Sequence, residues 1–192
     1  YGAHSALNNH IYVFVWKLRP ETIQVLSYSL LLGITLGVPL TPLLLRRLEK
    51  KTVAFIGFTI VAITWALLPV FRATGLFAPT GAEALPWLSL TQLFVGLGSG
   101  LFYIAIPSMM ADAAEEHEHL FGTRREGLFF SGLGFAGKAA AGVGTMVGGF
   151  ALDLLRFPKE AGRQLGAVID ESVLVGLVVA WGPFCSALCI LG

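Results

Sequence analysis

Apolar residues in this chain run in long blocks broken by short charged clusters. Residues 22–45, 52–71 and 86–111 contain no Asp, Glu, Lys or Arg at all, and 127–152 contains only Lys138. Each block exceeds the ~18 apolar residues that suggest a membrane-spanning helix. Two further blocks, 1–16 and 172–192, are also free of Asp, Glu, Lys and Arg. The pattern predicts an all-α polytopic membrane helical bundle of six segments, at about 1–16, 22–45, 52–71, 86–111, 127–152 and 172–192. The first is read as partial, because the chain opens on Tyr1 and closes inside an apolar run, which suggests a piece of a longer protein.

The connections are short. "KLRPE" (17–21) reads as a turn, "RRLEKK" (46–51) as a tight basic loop, 72–85 as a Gly/Pro-containing connection, 112–126 as a charged loop and 153–171 as the last loop. The first segment is polar for a membrane helix, with His4, Asn8, Asn9 and His10, so it should face protein or a wet cavity rather than lipid. Trp16 and Trp87 are placed to anchor at the membrane interface. Basic residues divide evenly between the two sides. Arg46, Arg47, Lys50, Lys51, Arg124 and Arg125 lie on one, and Lys17, Arg19, Arg72, Arg156, Lys159 and Arg163 on the other. The density of "RRLEKK" favours its side as cytoplasmic.

Composition narrows the function. The chain has 192 residues, is 55% hydrophobic and 13% charged, and has a mean hydropathy of +0.75. A soluble domain carries about twice that charge. Thirteen scattered basic residues and a net charge of +1 are no footprint for nucleic acid. Cys185 and Cys189, four apart in an apolar segment, read as small core or lipid-facing residues. "EEHEH" (115–119) lacks metal-ligand spacing, so no metal site is expected. "GLGSG" (96–100) has neither the preceding strand nor the following Lys-Ser/Thr of a phosphate loop, and reads as close helix packing. No nucleophile–base set points to an enzyme.

Lys138 is the residue that composition does not explain. It stands in the middle of "SGLGFAGKAAAGVGTMVGG" (131–149), where a lysine at the bilayer centre costs about 2.5–3.5 kcal/mol on insertion scales. Glu126 and Asp153, the nearest acids, lie roughly 18 and 22 Å away along a helix. Gly134, Phe135, Ala141, Gly142, Thr145 and Gly149 share its helical face, and all but Phe135 are small. No Asp or Glu lies at its depth in any of the six segments. A cavity-facing lysine therefore expects its counter-charge from outside this sequence, from a bound ligand or from another subunit. Gly144 and Gly148 form a GxxxG pattern suited to close packing. In the charged loop, Asp112 is expected at a helix C-terminus, and Arg124 at the next N-terminus, each against the helix dipole, while Glu126 suits its place. Such a group can act as an ion network that latches one conformation.

The order Asp112, Arg124, Glu126, Ser131, Lys138, with "GTRREG" running into the lysine-bearing helix, resembles the glycoside–pentoside–hexuronide:cation symporter family of the major facilitator superfamily. "NNHIYVFVWKLRPETI" resembles the end of that family's seventh helix, and "RRLEKK" its short cytoplasmic loop between helices eight and nine. The resemblance implies the C-terminal six-helix half of a major facilitator fold, with the N-terminal half missing. It implies cation-coupled symport of a sugar or glycoside by alternating access, in a multi-pass protein of the plasma (bacterial inner) membrane. Lys138 would couple cation and substrate, near carboxylates of the N-terminal half. Tyr103 could stack on a sugar, Thr145 and Gly134 would line the cavity, and Asp112, Arg124 and Glu126 would form a cytoplasmic gate. In the melibiose carriers a polar side chain stands where this chain has Gly134. The implied partners are a small-molecule substrate, the lipid bilayer and the missing half. The coupling ion would be Na+ or H+, with no cofactor. A lysophospholipid or other amphiphile carrier of the same fold, and a non-transporting membrane scaffold, are the alternatives.

Overall fold

A computed structural model describes residues 2–158 and 169–187. The sequence expectations for Cys189, for the middle of the 153–171 connection and for the end of the last span lie outside these residues. Helix α1 covers Gly2–His10 and continues as a π-turn over Ile11–Val15. Then follow α2 (Pro20–Leu45), α3 (Lys50–Ala73), a 3-10 turn (Gly81–Glu83), α4 (Leu85–Phe121), α5 (Glu126–Leu154) and α6 (Glu171–Val179), which runs into a second π-turn, Ala180–Phe184. Four helical stretches are long and apolar enough to cross a membrane: Pro20–Leu45, Lys50–Ala73, Gly81–Phe121 and Glu126–Leu154.

Helix α4 is the axis of the bundle, with α2 on one side and α3 on the other. Glycines make this possible. Gly96 and Gly100 are one turn apart on α4 and meet Gly33 and Gly37 of α2 backbone to backbone. Gly98, on the opposite side of α4, meets Gly57 of α3, where an added Cβ would stand 2.6 Å from a carbonyl oxygen. "GLGSG" is thus a packing device, as its setting suggested. Thr41, fully buried at this crossing, donates its hydroxyl to the Gly37 carbonyl at 2.9 Å, which satisfies the one polar group placed there.

The second unit is α1 with α5 and α6. Gly144 and Gly148 of α5 pack on Gly2, Ala3 and Ala6 of α1, the close approach that GxxxG spacing permits. His4 on α1 lies between two indoles, stacked on Trp65 of α3 at 4.0 Å and on Trp181 beyond α6 at 4.6 Å. The Trp181 Nε1–H donates to Asn8 Oδ1 at 2.6 Å. The polar side of α1 therefore faces protein. Ser186 donates to the Ala62 carbonyl, and Cys185 is buried beside Trp65.

Two expectations are corrected. The 112–126 stretch is mostly helix: α4 continues to Phe121, and only Gly122–Arg125 form a turn. Ala and Glu sustain a helix in water as well as in lipid, so the rise in charge marks where α4 leaves the bilayer, not where it ends. The helix stops at Gly122, which takes the left-handed conformation (φ 68°) and donates its N–H to the Glu118 carbonyl at 2.8 Å. Asp112 consequently sits in mid-helix and feels no C-terminal dipole. Trp16 is not a lipid anchor either. It is 1% exposed, packed with Ala84 and Leu88, and its carbonyl accepts the Gly81 N–H at 2.7 Å. Trp87 does stand half exposed, edge-on to Phe77.

Candidate functional site

Helix α5 touches the rest of the molecule along one narrow stripe. Gly148 alone among its residues is buried. At 100° per residue, Gly144 and Gly148 lie roughly 80–120° round the helix from Lys138. That rotation turns Lys138 away from α1 and into the open. Lys138 is exposed, and an added Cβ at Gly134, Gly137, Gly142 or Gly149 would meet nothing within 4 Å. Phe135 (76% exposed) stands on the same face. Thr145 is exposed as well, its hydroxyl given to the Ala141 carbonyl at 2.9 Å. The small residues around Lys138 therefore do two jobs. Those at 144 and 148 let α1 approach, and those at 134, 142 and 149 leave space beside the lysine.

The ion pairs among the described residues are Lys50–Asp112 and Arg124–Glu126; Lys138 belongs to neither. Tyr103 of α4 is half exposed, with its ring against Phe102. No hydrogen bond or ring contact joins it to Lys138 among the described residues. Lys138, Tyr103, Thr145 and Gly134 are thus all accessible, but the chain does not gather them into a closed pocket.

The proposed gate residues separate into two pairs. Asp112 is held by Lys50 at the start of α3, Nζ to carboxylate at 2.6 and 2.7 Å, with Nζ also 3.4 Å from the Ser108 carbonyl. Sequence reading missed Lys50 because it treated "RRLEKK" only as a topology signal. An acid in mid-helix near the membrane boundary is itself the clue that a cation from a neighbouring helix end should meet it. Arg124 pairs with Glu126 at 2.9 Å across two residues of the turn. It also borders a shallow cleft with Glu115 and Glu118 of α4. Glu126's hydrogen bond and charge, with Glu118 and Glu115 beyond, push the Arg124 guanidinium's pKa further up, so it is a fixed cation at every physiological pH. Both pairs are open to solvent, a setting in which an ion pair is worth about 0–1 kcal/mol. In a double-mutant cycle with Lys50→Met and Asp112→Asn, thermal denaturation should give a coupling below about 1 kcal/mol. The swapped pair, Lys50→Asp with Asp112→Lys, should recover most of the loss. A coupling of several kcal/mol would contradict the solvated geometry. Among the described residues, no three His, Cys, Asp or Glu are grouped to hold a metal.

Comparison with known proteins can now be set against this geometry. The sequence profile described as MFS/sugar transport protein matches residues 1–192, the whole chain. The chain belongs to that family. Its helical bundle, glycine-mediated crossings and apolar spans are those of a major facilitator fragment, and the family is one of transporters, not enzymes. The chain is also 27% identical over 142 residues, 74% of its length, to the isoprimeverose transporter of Lactiplantibacillus pentosus. That match covers 28% of the relative, so the chain corresponds to a minor part of the curated relative's length. No solved structure matches the chain.

Proposed function

We propose that this chain is the C-terminal half of a sugar carrier that couples uptake to a cation gradient, of the glycoside–pentoside–hexuronide:cation type. The observation that supports the reading is Lys138: a cation at mid-helix, on the uncovered face of α5, with no ion-pair partner among the described residues. A charge at that depth needs a carboxylate or a wet cavity, and an N-terminal half facing α5 would supply both. Substrate and cation would then bind between the halves near the midplane. Lys138 would change electrostatic partners as the site fills, with Tyr103, Thr145 and Gly134 on the cavity wall. Arg124 with Glu126, and Lys50 with Asp112, would steady the cytoplasmic ends of α3, α4 and α5 while that side is closed. The protein would lie in the plasma (bacterial inner) membrane with the 46–49 turn inside.

The test is uptake by the full-length carrier in proteoliposomes under imposed Na+ or H+ gradients. A panel of sugars beginning with isoprimeverose, the cargo in the relative's name, is compared with labelled lysophospholipid. Gradient-dependent accumulation of a sugar is expected. Lysophospholipid transfer without sugar uptake would replace the reading with the amphiphile carrier, and inactivity towards both would favour a scaffold.

A further inference from the structure

A second concavity lies far from α5. It is a groove of about 450 Å³ between the last two turns of α3, the 74–84 connection and the first turns of α4. Leu67, Phe71, Phe77, Trp87, Leu90 and Phe94 give it an apolar wall. Its two polar residues are already satisfied: Thr64 donates to the Ile60 carbonyl at 2.6 Å and Thr91 to the Leu88 carbonyl at 2.8 Å. A sugar would find no free donor or acceptor in these side chains, whereas a hydrocarbon chain would. The wall is held in place locally. The Phe77 N–H bonds to the Phe71 carbonyl at 3.2 Å, Gly81 is tied to Trp16, and Phe77 meets Trp87 edge-on.

One cation sits beside this groove. Arg72 follows Phe71 in the last turn of α3, at the end opposite the 46–49 turn. Its side chain is half buried, and its Nε is wholly buried with no hydrogen-bond partner. A buried donor left unmade costs free energy, and a guanidinium fork is shaped for phosphate. Helix α3 has 24 residues, about 36 Å against roughly 30 Å of hydrocarbon, so its last turn stands at headgroup depth. An apolar groove running down into the bilayer from an unpaired arginine matches one molecule with a phosphate at one end and a chain below it.

We propose that Arg72 and this groove form a binding site for one anionic glycerophospholipid, its phosphate on the guanidinium and an acyl chain between α3 and α4. The site is independent of the transport reading, because its readout is retained lipid. The full-length carrier is reconstituted in equal phosphatidylglycerol and phosphatidylcholine, extracted in mild detergent, and its retained lipid is counted by mass spectrometry. Wild type should keep phosphatidylglycerol in preference to phosphatidylcholine. Arg72→Gln should lower retained phosphatidylglycerol about tenfold, the effect of one lost charged hydrogen bond. Leu90→Trp, at a half-exposed position that fills the groove, should lower retention of both lipids. Arg46→Gln, a cation at the opposite end, should change nothing. Unchanged phosphatidylglycerol retention in both Arg72→Gln and Leu90→Trp would overturn the site. So would a photo-crosslinker at position 90 that labels another segment of the carrier instead of lipid.

Discussion

Lys138→Ala in the full-length carrier should abolish gradient-driven sugar uptake while leaving the protein abundant in the membrane. The two halves of that expectation have separate causes. Abundance should survive because Lys138 packs against nothing described in this chain: its face of α5 is open, and neighbouring glycines have 4 Å of clear space. Removing a charge that costs about 2.5–3.5 kcal/mol at the bilayer centre should if anything ease insertion. Uptake should fail because a carboxylate facing Lys138 would be left as an uncompensated charge. Breaking such a buried pair costs about 3–5 kcal/mol, which corresponds to about a 10²- to 10³-fold loss. Lys138→Arg, which keeps the charge on a bulkier head, should retain part of the activity. The measurement is initial uptake normalised to carrier quantified in the same vesicles. Normal ion-driven uptake by Lys138→Ala would remove the lysine from the coupling mechanism.

Gly96→Leu should do the reverse and cost the fold itself. The Cβ it introduces would run into the Leu30 carbonyl and stand 2.9 Å from the Ile34 nitrogen and 3.0 Å from the Gly33 Cα. These are backbone atoms of α2, and no side-chain rotation relieves the clash. Helices α2 and α4 must separate, which opens the crossing sealed by Gly37, Gly100 and Thr41 as well. Overpacking costs about 1–3 kcal/mol where side chains can yield, so a loss of about 3 kcal/mol or more is expected here. It should appear as a lower melting temperature and a reduced monodisperse fraction in detergent. Gly134→Leu is the informative contrast, since nothing lies within 4 Å of its added Cβ. That variant should melt like wild type and yet take up less substrate, because it fills space on the Lys138 face. If Gly96→Leu melted at the wild-type temperature, the α2–α4 crossing would have to lie elsewhere.

The contrast between these two glycines shows where sequence reading reaches its limit. Membrane helices announce themselves through hydropathy, so the apolar blocks around α2, α3, α4 and α5 could be read directly. Small residues carry less information. "GLGSG" and the lysine-bearing stretch look alike in composition, yet the first is packed on two sides and the second is open round Lys138. The difference is set by helix rotation against α1, which depends on contacts distant in sequence. The continuation of α4 past Ala111 was hidden because polarity and helix ending were treated as one signal. Asp112's partner was hidden because Lys50 belongs to another helix. His4 was legible as protein-facing, but Trp65 and Trp181 enclose it from helices that only the fold brings together. Lys138 remains the residue where sequence and structure say the same thing from different directions: no acid at its depth in the chain, and no ion pair in the fold.

The length of α4 has a mechanical consequence. Its 37 residues form a rod of about 55 Å, nearly twice the roughly 30 Å of hydrocarbon it crosses. Tyr103 sits within the membrane part, while Glu115 and Glu118 ride on the projecting end beside Arg124. Each degree of tilt about the rod's midpoint carries its tips by about half an ångström. A small rocking movement at the level of the substrate would therefore be magnified at the water-exposed end. The acidic tip of α4 is in effect a pointer that reports on the centre of the membrane.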